Sequence, residues 1–581
     1  ADMNTVTKHI TEANPRSNTG WGAAVEDLHN DFMGDNTKLT LKLLLGAVGF
    51  VLLIACVNVA NLLLAKGTTR QREIAIRSAV GASRSDVFTQ FVTESLLLAV
   101  IGGALGIGLG SAMLRGLIAV MPDGTLPTEA DLRLNLPVLL VAIGATTLAG
   151  LLFGCTPAWY ASRVDPAEAL KEGGRSGSSR VRNRFRQALV AGEFALAVAL
   201  LAGAGLALHS FWNLTQVDLG VKTDHVLTFG LPMVKDKDFT PEQIIGHYQQ
   251  ILRSIESTTG VESATAMTGM PLEGPGFGMP YTVAGDKDFT DPSQRPLAGF
   301  GMATPGYFKA YGIHLIKGRE FTDQDNAANL KVAVVNEQLV RERFKGREPI
   351  GQRLMVEQLY PGATKLGPPQ AWQIVGVYHD VRGGSFSQQR AEIIVPFYQS
   401  PWPNVTVGVR TAGDPATMTK TIAAAVHAVD PNVALSNVET LDQIKSEDLS
   451  GDRFSLLLYV FFAAIALALA AIGIYGVMAF AVGQRLHEIG VRMALGANRE
   501  RVVRMILREG LVLALSGLAL GLVGAYFVGR AMRSTLYGVG TVDFGAFSAV
   551  GVVLLLAALV ACYFPARRAA QIEPMRALRA E

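Results

Sequence analysis

Seven long apolar runs constrain this 581-residue sequence more than any other feature. A bilayer core about 30 Å thick is crossed by roughly 20 apolar residues in a helix, so each run predicts a transmembrane helix. Six of the runs contain no charged residue, and the fourth contains only Glu193. The runs are residues 43–65, 95–114, 134–162, 188–212, 454–484, 510–529 and 544–566.

The composition agrees with a membrane protein. Charged residues make up 17% of the chain, and the mean hydropathy is +0.29. A soluble enzyme is closer to a quarter charged, and a disordered chain is less hydrophobic. The net charge of +3 gives no indication of nucleic-acid binding. We therefore predict an α-helical membrane protein with seven transmembrane helices.

The basic loops orient these spans. Loops rich in Arg and Lys stay in the cytoplasm, whereas the loops at 121–133 and 530–543 carry few basic residues. Residues 213–453, between the fourth and fifth spans, then lie outside the membrane, as does the N-terminal segment 1–36, and the C-terminal tail lies inside. The basic loops are residues 66–84, 163–186, 485–508 and 567–579.

The long polar stretch is predicted to be an α/β extracytoplasmic domain, because helical and strand patterns alternate along it. The helical patterns cover residues 241–257, 336–344 and 414–429, and the strand patterns cover residues 332–335, 373–377, 392–396 and 405–410. Residues 172–180 are rich in Gly and Ser and are predicted to be a flexible cytoplasmic linker.

Motifs for catalysis are missing from the sequence. The chain contains no Gly-x-Ser-x-Gly, no His-Glu-x-x-His and no Cys-x-x-Cys, and its three cysteines all fall in apolar runs. It also lacks any Gly-Lys dipeptide, which a P-loop requires. We expect no catalytic residue and no metal site, and any ATPase must be a separate chain.

An internal repeat relates the two ends of the chain. The segment Arg-Glu-Ile-Ala-Ile-Arg-Ser-Ala-Val-Gly-Ala at 72–82 returns as His-Glu-Ile-Gly-Val-Arg-Met-Ala-Leu-Gly-Ala at 487–497, an offset of 415 residues. The same offset relates Gly102 to Gly517 and Gly106 to Gly521, and an offset of 408 relates residues 165–170 to 573–578. A three-span unit therefore occurs twice. Four spans separate the copies, so both have the same orientation.

Each copy carries a candidate site directly after its first span. Glu73 with Arg77, and Glu488 with Arg492, are spaced i and i+4 and share one helix face. Two interpretations stay open, namely an amphipathic helix at the lipid headgroups and a docking element for a cytoplasmic partner. Ile74 and Ile489 lie on a neighbouring face, and Gly81 and Gly496 are predicted to cap the two helices.

Two further sets of residues stand out in the spans. Gly102 and Gly106, with Gly517 and Gly521 in the second copy, are spaced by four and predict close helix packing. An acid inside a span is a candidate for proton coupling. Glu193 lies near the start of its run, however, so we expect its carboxylate to reach the interface.

The order of these features resembles the permeases of the MacB/FtsX class of ABC transporters. The resemblance rests on Glu-Ile-x-x-Arg-x-Ala-x-Gly-Ala after the first span of each unit and on Pro-x-x-Ala-Leu after the third. The extracytoplasmic stretch is similar to the periplasmic core domain of that family at residues 306–308, 318–321, 334–337 and 349–351.

The resemblance implies domain boundaries. Residues 1–38 would be the end of a truncated first periplasmic core domain, and 39–172 the first FtsX-like three-helix unit. A cytoplasmic linker at 173–187 and a transmembrane helix at 188–212 would follow. Residues 213–450 would form a MacB-like periplasmic core domain, and 451–581 the second FtsX-like unit.

The resemblance also implies a mechanism. Two ABC ATPase subunits, which bind ATP and Mg²⁺, would dock on the coupling helices Glu73–Gly81 and Glu488–Gly496. Their closure would move the spans and the extracytoplasmic domain, which is called mechanotransmission. The chain itself would bind no cofactor and would lie in the inner membrane among its lipids. A periplasmic adaptor and an outer-membrane channel are further expected partners.

Three functions compete at this point. The preferred one is ATP-driven efflux of a drug, peptide or lipid-like molecule from the periplasmic side. The second is an envelope regulatory complex that activates a periplasmic enzyme without transport. The third, a secondary transporter, would require acids near the bilayer midplane, and six of the seven spans have no charge.

Overall fold

The computed structural model describes residues 2–18, 22–25, 28–69, 83–120, 133–162, 178–233, 239–286, 294–363, 365–383, 389–495 and 498–571. The chain forms two compact units. The extracytoplasmic unit comprises Gln216–Ser450 with Ala1–Leu28, and the membrane unit comprises His29–Thr215 with Gly451–Glu581.

The helices are numbered in chain order. Short helices belong to the extracytoplasmic unit, and the longest ones to the membrane unit. They are α1 (Asp2–Ala13), α2 (Pro15–Asn18), α3 (Leu28–Thr69), α4 (Arg84–Val120), α5 (Leu136–Ser162), α6 (Ser178–Thr215), α7 (Pro241–Glu256), α8 (Tyr307–Tyr311), α9 (Glu337–Arg343), α10 (Pro415–His427), α11 (Leu441–Asp448), α12 (Ser450–Gln484), α13 (Leu486–Ala494), α14 (Arg499–Ala531) and α15 (Phe544–Ala570).

Six helices in the described part of the chain are long and apolar enough to cross a membrane. They lie at six of the seven positions where the sequence predicts spans. The remaining position is occupied by α5, whose apolar segment covers Leu136–Leu148. The six are Thr37–Leu62, Phe88–Ala119, Arg184–Thr215, Ser450–Gln484, Arg499–Ala531 and Phe544–Ala570.

The fourth span begins earlier than its apolar run suggests. Helix α6 is continuous from Ser178, so residues 178–187 are helical and not part of a flexible linker. Arg186 explains the difference, because its side chain is 3% exposed and its guanidinium lies 4.0 Å from the centre of the Phe480 ring of α12. Because Arg186 packs on α12, the helix continues on the N-terminal side of the apolar run.

The helices of the membrane unit pack on one another through a cluster of apolar side chains, many of them alanines. Helix α14 packs along α6 and α15, and α4 packs against α5. The buried cluster combines Phe194 and Val198 of α6 with Ala514 of α14 and Ala558 of α15. In a bilayer, helices associate mainly through this kind of close van der Waals packing.

The extracytoplasmic unit is built on one 11-stranded sheet. The strands are β1 (Val226–Pro232), β2 (Val261–Met267), β3 (Phe277–Val283), β4 (Leu297–Ala303), β5 (Leu315–Gly318), β6 (Val332–Asn336), β7 (Arg353–Glu357), β8 (Pro369–Tyr378), β9 (Glu392–Pro396), β10 (Asn404–Thr411) and β11 (Ser436–Thr440).

The strand order is β11-β1-β10-β2-β4-β3-β7-β8-β6-β9, and β5 pairs with β8. Strand β9 also pairs with β4 in parallel, so β4, β3, β7, β8, β6 and β9 form a closed ring. The predicted α/β character of the domain and the four predicted strand positions agree with this arrangement.

Helix α7 covers one part of this sheet. Thr240 and Gln243 form a capping box at its N-terminus, and Pro241 occupies the first turn. Its apolar face is buried through Ile244, Ile251 and Ile255, in register with the helical period. The helical pattern at 241–257 in the sequence therefore predicts α7 to within one residue at its end.

Glu392, at the start of β9, is an acid in a largely buried position. The Tyr378 hydroxyl donates to Glu392 Oε2 at 2.7 Å, and the Glu392 backbone N–H donates to Asn336 Oδ1 at 2.9 Å. Burial raises the pKa of Glu392 from 4.5 to about 7, and the neighbouring Asp380 raises it further, while the Tyr378 hydroxyl opposes the change.

We expect Glu392→Gln to remove part of the pH dependence of the unfolding free energy. A carboxyl group whose pKa is higher in the folded state than in the unfolded state stabilises the fold at low pH. In the wild type this stability is lost as pH rises from about 4.5 to about 7, by about 3 kcal/mol. Hydrogen exchange of β9 in the full chain at pH 5 and pH 8 measures the loss. An unchanged pH slope in the variant would contradict the assignment.

Candidate functional site

Helix α13 carries the candidate docking residues of the second copy. Helix α12 ends at Gln484, and the chain turns at Arg485, with φ −107° and ψ 14°, before α13 begins. Ile489 is 3% exposed and belongs to the same buried apolar cluster as Val502 and Ile506 of α14. The apolar face of α13 is therefore anchored to the membrane unit.

The opposite face of α13 is charged and open to the solvent. Arg492 Nη2 lies 2.5 Å from Glu488 Oε1, and both side chains are half exposed. A second exposed pair joins Arg485 of the turn to Glu509 of α14, at 2.8 Å. Exposed pairs of this kind contribute only about 0.3–0.5 kcal/mol, so these charges do little for the stability of the fold. They are available for contacts outside the chain.

Some of the predicted docking residues fall outside the described part of the chain. These are Glu73, Ile74, Arg77 and Gly81 of the first copy, and Gly496 of the second. The C-cap of α13 is Leu495, so Gly496 directly follows the cap in the sequence, and its predicted role as the glycine that ends the helix stays a prediction. Helix α13 ends at Ala494, and the Leu495 N–H donates to the Val491 carbonyl oxygen, which closes the last turn.

The glycines of the second copy lie where two helices approach closely. A Cβ atom at Gly517 would lie 2.4 Å from Phe194 Cβ and 2.9 Å from the Ala191 carbonyl oxygen of α6. At Gly521 it would lie 2.4 Å from Val198 Cβ. Only hydrogen fits at these two positions, so the backbones of α14 and α6 come into direct contact.

The glycines of the first copy differ. A Cβ atom at Gly102 or at Gly106 would have no neighbour within 4 Å in the described part of the chain. The described part of the chain therefore supplies no close helix contact at these two positions, and their role in packing stays a prediction. In the described structure α6 lies against the second copy, and no described helix takes the equivalent place beside α4.

Glu193 is the second difference from the expectation. Its side chain is 1% exposed and does not reach the interface, because α6 extends about nine residues further into the cytoplasmic side of the span. Asn58 Nδ2 of α3 donates to Glu193 Oε1 at 2.6 Å and lies 2.9 Å from the Leu469 carbonyl oxygen of α12. One amide thus joins three transmembrane helices.

The repeat explains how this polar contact fits. Adding the offset of 415 to Asn58 gives Gly473 of α12, and a Cβ atom there would lie 2.3 Å from Glu193 Oε2. The second copy therefore has glycine where the first has asparagine, and the missing side chain makes room for the carboxyl group. The sequence analysis missed Asn58; an Asn inside an apolar span, aligned with Gly473 across the repeat, is the signal that could have indicated this cluster.

The described polar contacts join transmembrane helices to one another. In the ranges that the structure describes, no group of three His, Cys, Asp or Glu residues could hold a metal ion. The fold is that of a polytopic membrane protein with an α/β extracytoplasmic domain.

Comparison with protein families identifies two kinds of domain. The FtsX-like permease C-terminal family matches residues 45–166 and again 460–574, which are the two copies of the repeat. The MacB-like periplasmic core domain family matches residues 195–434. The chain belongs to the MacB/FtsX class of ABC transporter permeases, and it is a multi-pass protein of the inner membrane.

Individual relatives align over a limited region. The chain is 37% identical over 139 residues to the macrolide export ATP-binding/permease protein MacB of Syntrophobacter fumaroxidans, covering 24% of this chain and 18% of that protein. It is also 37% identical over 139 residues to the pyoverdine export ATP-binding/permease protein PvdT of Pseudomonas syringae, covering 23% and 19%. The matches thus span about a fifth of these relatives.

Among solved structures, the periplasmic region of MacB from Actinobacillus actinomycetemcomitans is similar at 14% identity and a TM-score of 0.27, covering 40% of this chain and 96% of that one. The families that match this chain describe a permease and a periplasmic domain, whereas the names of the relatives also include ATP binding.

The glycine contact predicts a difference between two equivalent substitutions. Gly517→Ala should lower the unfolding free energy of the membrane unit by about 1–3 kcal/mol, because the new methyl group overlaps Phe194. Gly102→Ala is the matched control and should cause no loss, since its methyl group meets open space. Thermal unfolding of the detergent-solubilised chain measures both. Equal effects would show that the contact between α14 and α6 is wrong.

The polar contact predicts a non-additive pair. Asn58→Leu should destabilise the membrane unit by about 1–2 kcal/mol, because it leaves a buried carboxyl group without its donor. Combining it with Glu193→Leu should restore part of the loss, since removal of both polar partners leaves none unsatisfied. Unfolding of the two single variants and the double variant gives the coupling energy. Additive losses would exclude the hydrogen bond as a stabilising link.

Proposed function

We propose that this chain is the permease subunit of an ABC exporter whose ATPase is a separate protein. The observation that carries the proposal is that α13 directly follows α12 in the chain, after a turn of one residue at Arg485. Helix α12 has 35 residues and a length of about 52 Å, and its two ends adjoin the extracytoplasmic domain and α13 in the chain. A push on α13 would pass through the turn at Arg485 to this one long helix.

Docking would use the exposed face of α13 and the equivalent segment of the first copy. Ile489 holds α13 on the membrane unit, while Glu488 and Arg492 face outward. By the repeat, Glu73 and Arg77 supply the second docking position. The ATPase subunits would bind ATP and Mg²⁺ and would act on both positions when they close.

The transported substrate would be taken up on the extracytoplasmic side. The names of two relatives indicate export of macrolides and of pyoverdine, and the sequence class favours a drug, peptide or lipid-like molecule. In this mechanism the extracytoplasmic domain changes conformation with each ATP cycle, so no tunnel through the bilayer is needed. A periplasmic adaptor and an outer-membrane channel would complete the export path.

Charge reversal on both docking positions tests this proposal. The variant Arg77→Glu/Arg492→Glu should capture a candidate ABC ATPase at least tenfold less than the wild type, because a charge-assisted contact is replaced by repulsion. Co-purification and ATP hydrolysis by the complex are measured together. Arg530→Glu, an exposed arginine at the opposite end of α14, is the control and should change neither. If the double variant binds and hydrolyses as before, the docking assignment is wrong.

A further inference from the structure

A basic groove runs between the cytoplasmic ends of α14 and α15. Its volume is about 470 Å³, and Arg499, Arg504 and Arg567 line it with one acid, Glu500. Among the described residues that line the groove, three guanidinium groups outnumber one carboxylate, so this lining carries a net positive charge. In the described ranges, no carboxylate forms an ion pair with any of the three arginines.

The opposite end of the groove is apolar. Leu507 of α14 and Tyr563 of α15 form this end. From Tyr563 an exposed apolar row continues along α15 through Leu559, Leu556 and Val552. Their spacing of four, three and four residues places them on one face of the helix. The surface therefore joins a cationic end to a long hydrocarbon-facing strip.

This combination has the polarity of a phospholipid. The groove lies on the cytoplasmic side, because α14 begins in the basic segment 485–508 and α15 ends in the basic segment 567–579, and basic loops stay in the cytoplasm. The cytoplasmic leaflet is rich in anionic lipids, which attract basic side chains near the surface. An acidic protein surface would pair with the arginines alone, whereas one phospholipid molecule can contact both the arginines and the apolar strip that adjoins them.

We propose that the groove binds the headgroup phosphate of an anionic phospholipid, with an acyl chain along the apolar row of α15. The arginines bind the phosphate oxygens by charge-assisted hydrogen bonds. The repeat makes this site specific to the second copy. The offset of 415 aligns Arg499 with Arg84 and Arg504 with Thr89, and the offset of 408 aligns Arg567 with Trp159. The first copy therefore has one of the three arginines.

Native mass spectrometry of the full chain in detergent, titrated with phosphatidylglycerol or phosphatidylcholine, tests the site. The wild type should bind phosphatidylglycerol more tightly and lose this preference at high salt. The variant Arg499→Gln/Arg504→Gln/Arg567→Gln should bind phosphatidylglycerol about 100-fold more weakly, since each interfacial arginine contributes about fivefold.

The control variant removes the same charge from the same two helices outside the groove. Arg501→Gln/Arg508→Gln/Arg568→Gln should bind phosphatidylglycerol like the wild type. The variant with Lys at the three groove positions should keep the preference for the anionic lipid, which separates loss of charge from misfolding.

Three results would overturn the proposal. The first is equal phosphatidylglycerol binding by the wild type and the groove Gln variant. The second is equal loss in the groove Gln variant and the control. The third is a groove Gln variant that keeps the lipid but no longer co-purifies with the ATPase, which would assign the groove to a protein partner.

Discussion

The contact between α6 and α14 is the interaction on which the membrane unit depends. It exists because Gly517 and Gly521 have no side chain, so Phe194 and Val198 rest directly on the α14 backbone. In a bilayer the surrounding lipid is as apolar as the helices, and packing at this distance replaces the hydrophobic effect as the cohesive force. Helix α6 leads in the chain to the extracytoplasmic domain, and α14 follows α13, which is the docking helix of the proposed function.

Around this contact the two copies of the repeat have diverged in a complementary way. Asn58 and Gly473 occupy equivalent positions, and the pair holds the Glu193 carboxyl group where two asparagines or two glycines would not. The three arginines of the groove and the single arginine at equivalent positions of the first copy show the same divergence. A duplicated chain can specialise its halves because each position mutates independently, which a dimer of identical subunits cannot do.

Much of the architecture was predictable, for identifiable reasons. Apolar runs of sufficient length must become helices in lipid, since no water is present to satisfy the backbone. The i and i+4 spacing placed Glu488 and Arg492 on one face, and the structure brings them within 2.5 Å. The expectations that the described structure does not match concern residues whose packing depends on neighbouring helices. Gly102 has the same spacing as Gly517, but no neighbour packs on it in the described part of the chain. Glu193 is buried because α6 extends through a basic segment whose Arg186 packs on Phe480.

The sequence by itself determined the membrane class, the extracytoplasmic α/β domain, the parallel repeat and the family, because length, periodicity and repeated motifs are properties of the chain alone. Only the tertiary structure decided which glycines are contacts, which polar residues meet inside the bilayer and where three arginines converge on one groove. Those features join residues far apart in sequence, such as Asn58 with Glu193, 135 residues away. No local pattern encodes such a pair, since its partner is chosen by how the helices pack.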